Sequence, residues 1–314
     1  MSYAAGQIIL DDEYNTFATG SASGTPNHGV ANINTIWGVG NGNKGYGQGS
    51  TLAAVAAGGV VTATQWSTMT SRLSSIRNHQ SSSYSPAPST PATGSLIQIL
   101  TNFSASLSSG YSDVQTGQVY SRSSLASNNT DRTTGWTTST TTTVTVTFAD
   151  ADAVRYYFNS GGRIEFTFSR SGGTSTQKNT DWSNLCTDMG TILFNTNGTT
   201  ASGYSGTFDT LATSIGYYQM TTSNQTIVKK YNDTGNADYN LNYILIQAKS
   251  NGVQGSNADV GTILTFTITF VDDASDTFDD TVDGTLRTTT VYNGAGTSYI
   301  SNTWGTPSYG GVNT

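Results

Sequence analysis

The chain has 314 residues and a mass of 33.0 kDa, enough for one large domain or two ordinary ones. Charged residues make up only 11%, the net charge is -7, and the 13 basic residues are scattered, which argues against a nucleic-acid or anionic-membrane partner, since both need clustered Lys and Arg. A single cysteine, Cys186, excludes an internal disulfide framework and a multi-cysteine zinc site, while Ser, Thr, Asn and Gly in place of charge, with 11% aromatics, point to a β-rich fold with many turns.

The opening MSYAAGQIIL lacks the basic start and long apolar core of a secretion signal, so no processing is expected there. A short phrase then occurs twice. GQIILDDEYNTF starts at Gly6, and GGVVTATQWSTM starts at Gly58 with glycine, β-branched pair, aromatic and Thr in matching places. Each copy reads as a short extended piece leading into a helix. Asp11 or Asp12 would cap the first near Glu13, and Thr62 or Thr64 the second. The second helix spans 65–78, with Trp66, Met69, Leu73 and Ile76 on one face. Residues 1–80 are therefore expected to be an N-terminal strand-helix attachment segment. Tyr14, Phe17, Trp66, Met69, Leu73 and Ile76 would be its assembly interface.

Between the copies lies GVGNGNKGYG, which lacks G-K-[ST] and reads as tight turns rather than a phosphate loop. LAAVAAGGVV, from Leu52, is too short to span a bilayer, so no membrane insertion is expected. Residues 81–95 hold Pro86, Pro88 and Pro91 and form a linker or arm. The remaining residues, 96–314, are the body. Its first part, 96–135, reads either as a strand pair or as a short helix.

From Thr140 the pattern alternates. TTTVTVTF puts Val144, Val146 and Phe148 on one face, and RIEFTF does the same with Ile164, Phe166 and Phe168. ADADAVRYYFNSGG, capped by Asp150 or Asp152, and TDWSNLCTDMG read as short helices. Further strands are expected at 190–195, 215–220, 225–231, 242–249, 262–270 and 285–292. The fold class is mainly β: an antiparallel β-sandwich body with a few short helices.

VDDASDTFDDTVDG concentrates Asp272, Asp273, Asp276, Asp279, Asp280 and Asp283. Like charges this close are either solvated or bridged by a cation, and calcium accepts such oxygen-rich, irregular sites; both readings stand. His28 and His79 are the only histidines, and no G-x-S-x-G accompanies them, so no catalytic triad is expected. A glycosidase needs two facing carboxylates, and the chain offers Glu13, Glu165 and many aspartates, but no facing pair is recognisable. Cys186 lies on an apolar helical face and reads as a small buried hydrophobe. The 17 Tyr suit either subunit interfaces or sugar stacking.

Three stretches carry a resemblance. GYGQ with VTATQWSTMTSRLSSIRNHQ, AVRYYFNSGGRIEFTFSRSGG with DWSNLCTDMGTILF, and GYYQMTTSNQTI with YILIQAKSNG resemble virion structural proteins of marine bacteriophages of the cyanophage type. The resemblance runs from Gly45 to about Arg287. It implies a non-enzymatic, virion-located particle component without a cofactor, most often associated with tail, collar or fibre. A capsid decoration protein or a glycan-binding receptor module are the alternatives. It implies homo-oligomers and other virion proteins as partners, with host surface glycan as a further one. It transfers no residue role.

Overall fold

The computed structural model describes residues 10–38, 45–82, 103–116, 122–254, 260–273 and 281–314. Helices come first in the chain: α1 (Asp11–Thr19), α2 (Ile33–Trp37), α3 (Ala63–His79) and α4 (Phe103–Thr116). The strands follow, interrupted by two helices: β1 (Arg122–Arg132), β2 (Ser139–Thr147), α5 (Ala151–Asn159), β3 (Arg163–Ser171), α6 (Gln177–Asp188), β4 (Thr191–Phe194), β5 (Thr199–Ser202) and β6 (Thr210–Leu211). Then come β7 (Gln225–Tyr231), β8 (Tyr243–Ser250), β9 (Ile263–Val271), β10 (Thr285–Ala295) and β11 (Ser308–Asn313).

The strands form two antiparallel sheets, in the orders β1-β10-β3-β4-β5 and β11-β2-β9-β8-β7-β6. The first two strands pair with the last two of the main run in nested fashion: β1 with β10 in one sheet, β2 with β9 in the other. A long antiparallel ribbon thus folds across both layers, the wrapping used by jelly rolls. The expected mainly β sandwich is what the body forms.

Strict alternation sets the inner faces. Phe166 and Phe168 meet Phe266 and Phe270 across the gap at ring-centroid distances of 4.8 and 5.8 Å. Phe194 reaches Phe266 at 5.1 Å. The two helices inside the body close its ends. In α5, Asp150 accepts from the Ala153 amide as N-cap, and Tyr157 and Phe158 pack on Phe148 at one end. In α6, capped by Thr176, Trp182 packs on Phe270 and Trp136 at the other.

Several expectations shift. The segment 215–220 is no strand: Tyr217–Gln219 is a single 3-10 turn whose Tyr217 ring stacks on Phe158 at 4.7 Å. The ambiguous stretch 96–135 supplies both a helix, α4, and a strand, β1. Helix α4 does not join the body. It packs with the N-terminal helices, Phe103 against Phe17 and Trp66, and Asp113 paired with Arg77 at 2.7 Å. The helical layer therefore takes in residues on both sides of the expected 81–95 linker; residues 83–95 themselves lie outside the described residues.

The duplicated phrase is realised in its helices. α1 and α3 begin at matching positions, with Tyr14 and Trp66 both buried. Thr62 makes a full capping box with Gln65, whereas the N-cap of α1 is Leu10, which offers no side-chain bond. No strand precedes either helix among the described residues; residues 52–62 run as irregular backbone.

That backbone still has to bond its polar groups, and side-chain amides do so. Asn34 accepts from the Leu52 amide at 2.7 Å and donates to its carbonyl at 2.9 Å. Asn15 treats Val55 the same way, at 2.8 Å in both directions. Gln48 forms an equal pair with Ser301 of the body, again at 2.8 Å twice. With Asn159 donating to the Gly45 carbonyl, these bonds seat the helical layer on the α5 end of the sandwich. Apolar side chains of layer and body form one continuous core.

Two predictions follow from burial and bonding. Phe266→Ala should lower stability in urea unfolding by about 3–5 kcal/mol, while Thr267→Ala, one residue on but outward, should cost less than about 1 kcal/mol; equal losses would overturn the assignment of faces. Asn34→Ala should cost about 2 kcal/mol or more, because it strands two buried backbone groups at once; a loss within the range of a surface substitution would show that the clamp does not hold Leu52.

Candidate interaction surface

Two of the side chains singled out for chemistry, His79 and Cys186, are turned inward. His79 ends α3 and is fully buried, with Nε2 donating to the Ser160 carbonyl at 3.0 Å and its ring edge-on to Tyr46. That bond fixes the tautomer: a carbonyl only accepts, so Nε2 carries the proton and Nδ1 is left bare, without a partner. Burial pushes the His79 pKa down to about 4, against the partial support of the Ser160 carbonyl. Cys186 is buried on α6, where desolvation pushes its thiol up to about 12 and leaves it unreactive. His28 lies 3.4 Å from the Thr35 hydroxyl in a surface loop. Glu165 pairs with Arg163 on β3 and Glu13 sits in the first turn of α1, so they do not face one another on a shared element.

The acidic stretch is divided between internal tasks. Asp272 forms a 2.8 Å ion pair with Lys178, both side chains only 3% exposed. Asp273 donates its amide to Asn242 Oδ1 at 2.9 Å. Asp283 collects the Thr174 amide and hydroxyl, the Asn179 amide and the Arg170 guanidinium, tying the end of β3 and the start of α6 to the loop before β10. The Thr174 backbone bond is the main cause of its lowered pKa. Asp276, Asp279 and Asp280 lie outside the described residues. Among the described residues no cluster of His, Cys, Asp or Glu is arranged to hold a metal ion, and no helix is long and apolar enough to cross a membrane.

The six residues expected to face assembly partners are also turned inward, which corrects that assignment. Tyr14, Trp66, Met69, Leu73 and Ile76 are buried, and Phe17 packs against the same core. Helices α2 and α4 cover them, so the apolar stripe is satisfied within the chain. The physical reason is supply: α4, from beyond the linker, brings the apolar cover that α1 and α3 lack on their own.

What remains partly exposed is the outer face of the second sheet. Its strands alternate in phase, so the residues between the buried ones line up in rows. One row runs Val312, Thr143, Thr267, Gln247 from β11 to β8. The next runs Gly310, Thr145, Thr265, Lys249, and a third runs Thr141, Thr269, Leu245, Lys229. These positions hold no carboxylate. Among the described residues the helix that packs most closely along a strand is α6, and that strand is β3 of the other sheet.

Two lysines mark one border of this face. Lys229 Nζ sits 4.4 Å from the ring centres of both Tyr231 and Tyr243 and donates to the Tyr231 hydroxyl at 2.6 Å, the main cause of its raised pKa. Neither Lys229 nor Lys249 makes an ion pair among the described residues. The opposite border is closed against the first sheet: Thr130 and Tyr309 share a hydrogen bond, and Asn313 donates to the Asp131 carbonyl at 2.7 Å. The face was readable in part, since the Thr positions of TTTVTVTF and TILTFTITF fall out of phase with the apolar ones; its extension onto β8 and β11 was not.

Two clefts of about 290 Å³ each lie near the α5 end. One is lined by Asp150, Asp152, Tyr156 and Trp304, the other by Arg122, Asn195, Asn197 and Thr213. Tyr156 and Trp304 are 6% and 7% exposed, which leaves a sugar carboxylates to bond but little ring face to stack on. Compared with family models, with curated proteins and with solved structures, the chain finds no match.

The buried His79 makes the junction acid-sensitive. Its folded pKa of about 4 lies below the unfolded value near 6.5, so the unfolded chain binds the proton first. The contribution is intact above about pH 6.5 and is lost as pH falls toward about 4, by roughly 3 kcal/mol in total. His79→Gln, which keeps an amide donor for Ser160, should flatten that part of the stability-pH curve in urea titrations; an unchanged slope would assign the acid sensitivity elsewhere.

Proposed function

We propose that this chain is a structural component of a phage particle and works by ordered association rather than catalysis. The single observation that carries the reading is the outer face of the second sheet, whose three central rows hold no carboxylate on a chain of net charge -7. Broad faces with few charges suit repeated contact between subunits, where unmatched charge would be buried at a cost. The inward placement of His79 and Cys186 supports the non-enzymatic side of the reading. The resemblance of the three sequence stretches supports the particle, with tail, collar or fibre ahead of capsid decoration. At the level of fold analogy, double-sheet wraps of this kind serve in capsid and lectin domains alike, so the fold alone does not choose between them. A glycan-binding role has the cleft at Asp150 and Asp152 in its favour and the buried rings of Tyr156 and Trp304 against it.

In lysates where the chain is expressed, its peptides should travel with intact virions through a density gradient. An antibody to it should label those virions at one fixed place in negative-stain micrographs. Recovery confined to the soluble fraction would remove the particle role.

A further inference from the structure

We propose that the outer face of the second sheet is a self-association surface, occupied by the same face of a second copy of this chain. The inference rests on the assembly reading and names its partner.

Size comes first. Five strands from β11 to β7 lie side by side. At a spacing of about 4.8 Å and a rise of about 3.3 Å per residue they cover roughly 650 Å². Two copies would bury about 1,300 Å² in total, above the roughly 1,000 Å² that separates a specific interface from a casual contact. Shape agrees, because two sheets stack face to face when their strands lie within about 30° of each other.

Charge then selects the occupant. With only Lys229 and Lys249, the face has too little positive charge for a nucleic acid or an anionic membrane. The three central rows hold no carboxylate, and Asp209, whose charge reaches Lys229, lies at the β6 margin, so a copy of itself brings only the two lysines to be kept apart. A two-fold axis along the central strand β9 lays the β7–β8 border, with both lysines, over the β2–β11 border of the partner. There Thr143, Thr145, Gly310 and Val312 wait, and lysine does not face lysine. Lys229 is held back between Tyr231 and Tyr243, so its charge leaves the middle of the face free.

The chemistry at the centre is modest. Thr hydroxyls on neighbouring strands bond one another loosely, as Thr141 and Thr269 do at 3.4 Å. Val312 at the β11 edge is 60% exposed, an apolar side chain with no cover inside the chain. Such a surface gains by losing water over a large area rather than by any single strong contact.

Sedimentation velocity on the full chain tests this without particles, so it fails separately from the particle role. At tens of micromolar the wild-type chain should sediment as a dimer or larger assembly. The double variant Thr143→Glu, Thr267→Glu should associate at least about tenfold more weakly, because carboxylates would be buried unpaired. Ser127→Glu, at an exposed site on β1, should leave association unchanged. A monomeric wild type, or a double variant that assembles normally, overturns the proposal. If the double variant does not fold, Thr267→Cys decides. Near the axis its thiol should be joined to its twin by a short bis-maleimide, whereas Ser127→Cys should not be, and Cys186 is buried and silent. Equal cross-linking at both sites, or none at residue 267, also overturns it.

Discussion

Phe266 stands between Phe166 of β3 and Phe194 of β4, and this contact across the sandwich decides the orientation of everything around it. A strand has a side-chain period of two, so once Phe266 is inside, Thr265 and Thr267 are outside. β2 and β8 are bonded to β9 in register, which carries the same choice to them. A slip of one residue would place a row of hydroxyls against the phenylalanines and expose the rings to water. The aromatic contact that closes the core therefore also makes the threonine face.

A second constraint operates at the α5 end. The chain is poor in charge and rich in amides, and it uses them where another protein would use a strand partner. Asn15, Asn34 and Gln48 each bond both polar groups of one residue of irregular backbone, as a neighbouring strand would. Buried polar groups left unpaired are costly, and this arrangement lets a segment without regular structure lie against the core. It also explains how the helical layer joins the body through polar bonds as well as apolar packing, with His79 and Ser160 at the centre of the joint.

Both features bear on function. Three of the groups singled out for chemistry hold the molecule together: Asp272 pairs with Lys178, Asp283 ties α6 to the first sheet, and the thiol of Cys186 is buried. The outer face of the second sheet is regular, with Thr-rich rows and two lysines at one border. A protein that recognises a small molecule concentrates a few polar groups in a concavity; on this sheet the polar groups are spread along rows.

Much of this was legible along the chain. TTTVTVTF, RIEFTF and TILTFTITF alternate because one face of each strand is dry and the other wet, and the Asp150 cap of α5 was readable, whereas α6 starts earlier than TDWSNLCTDMG, behind a Thr176 cap. β1 and β11 were not legible, since edge strands such as RSSLASNNTDR and SYGGVN are buried on neither face strongly enough to alternate. The 3-10 turn at Tyr217 hid as an apolar run because its ring serves the core from a turn instead of a strand. The stripe of Tyr14, Trp66, Met69, Leu73 and Ile76 shows the limit most clearly. An amphipathic pattern states that a face must be covered; whether α4 of the same chain or a partner supplies the cover depends on packing between residues far apart in sequence, and only the tertiary structure decides it.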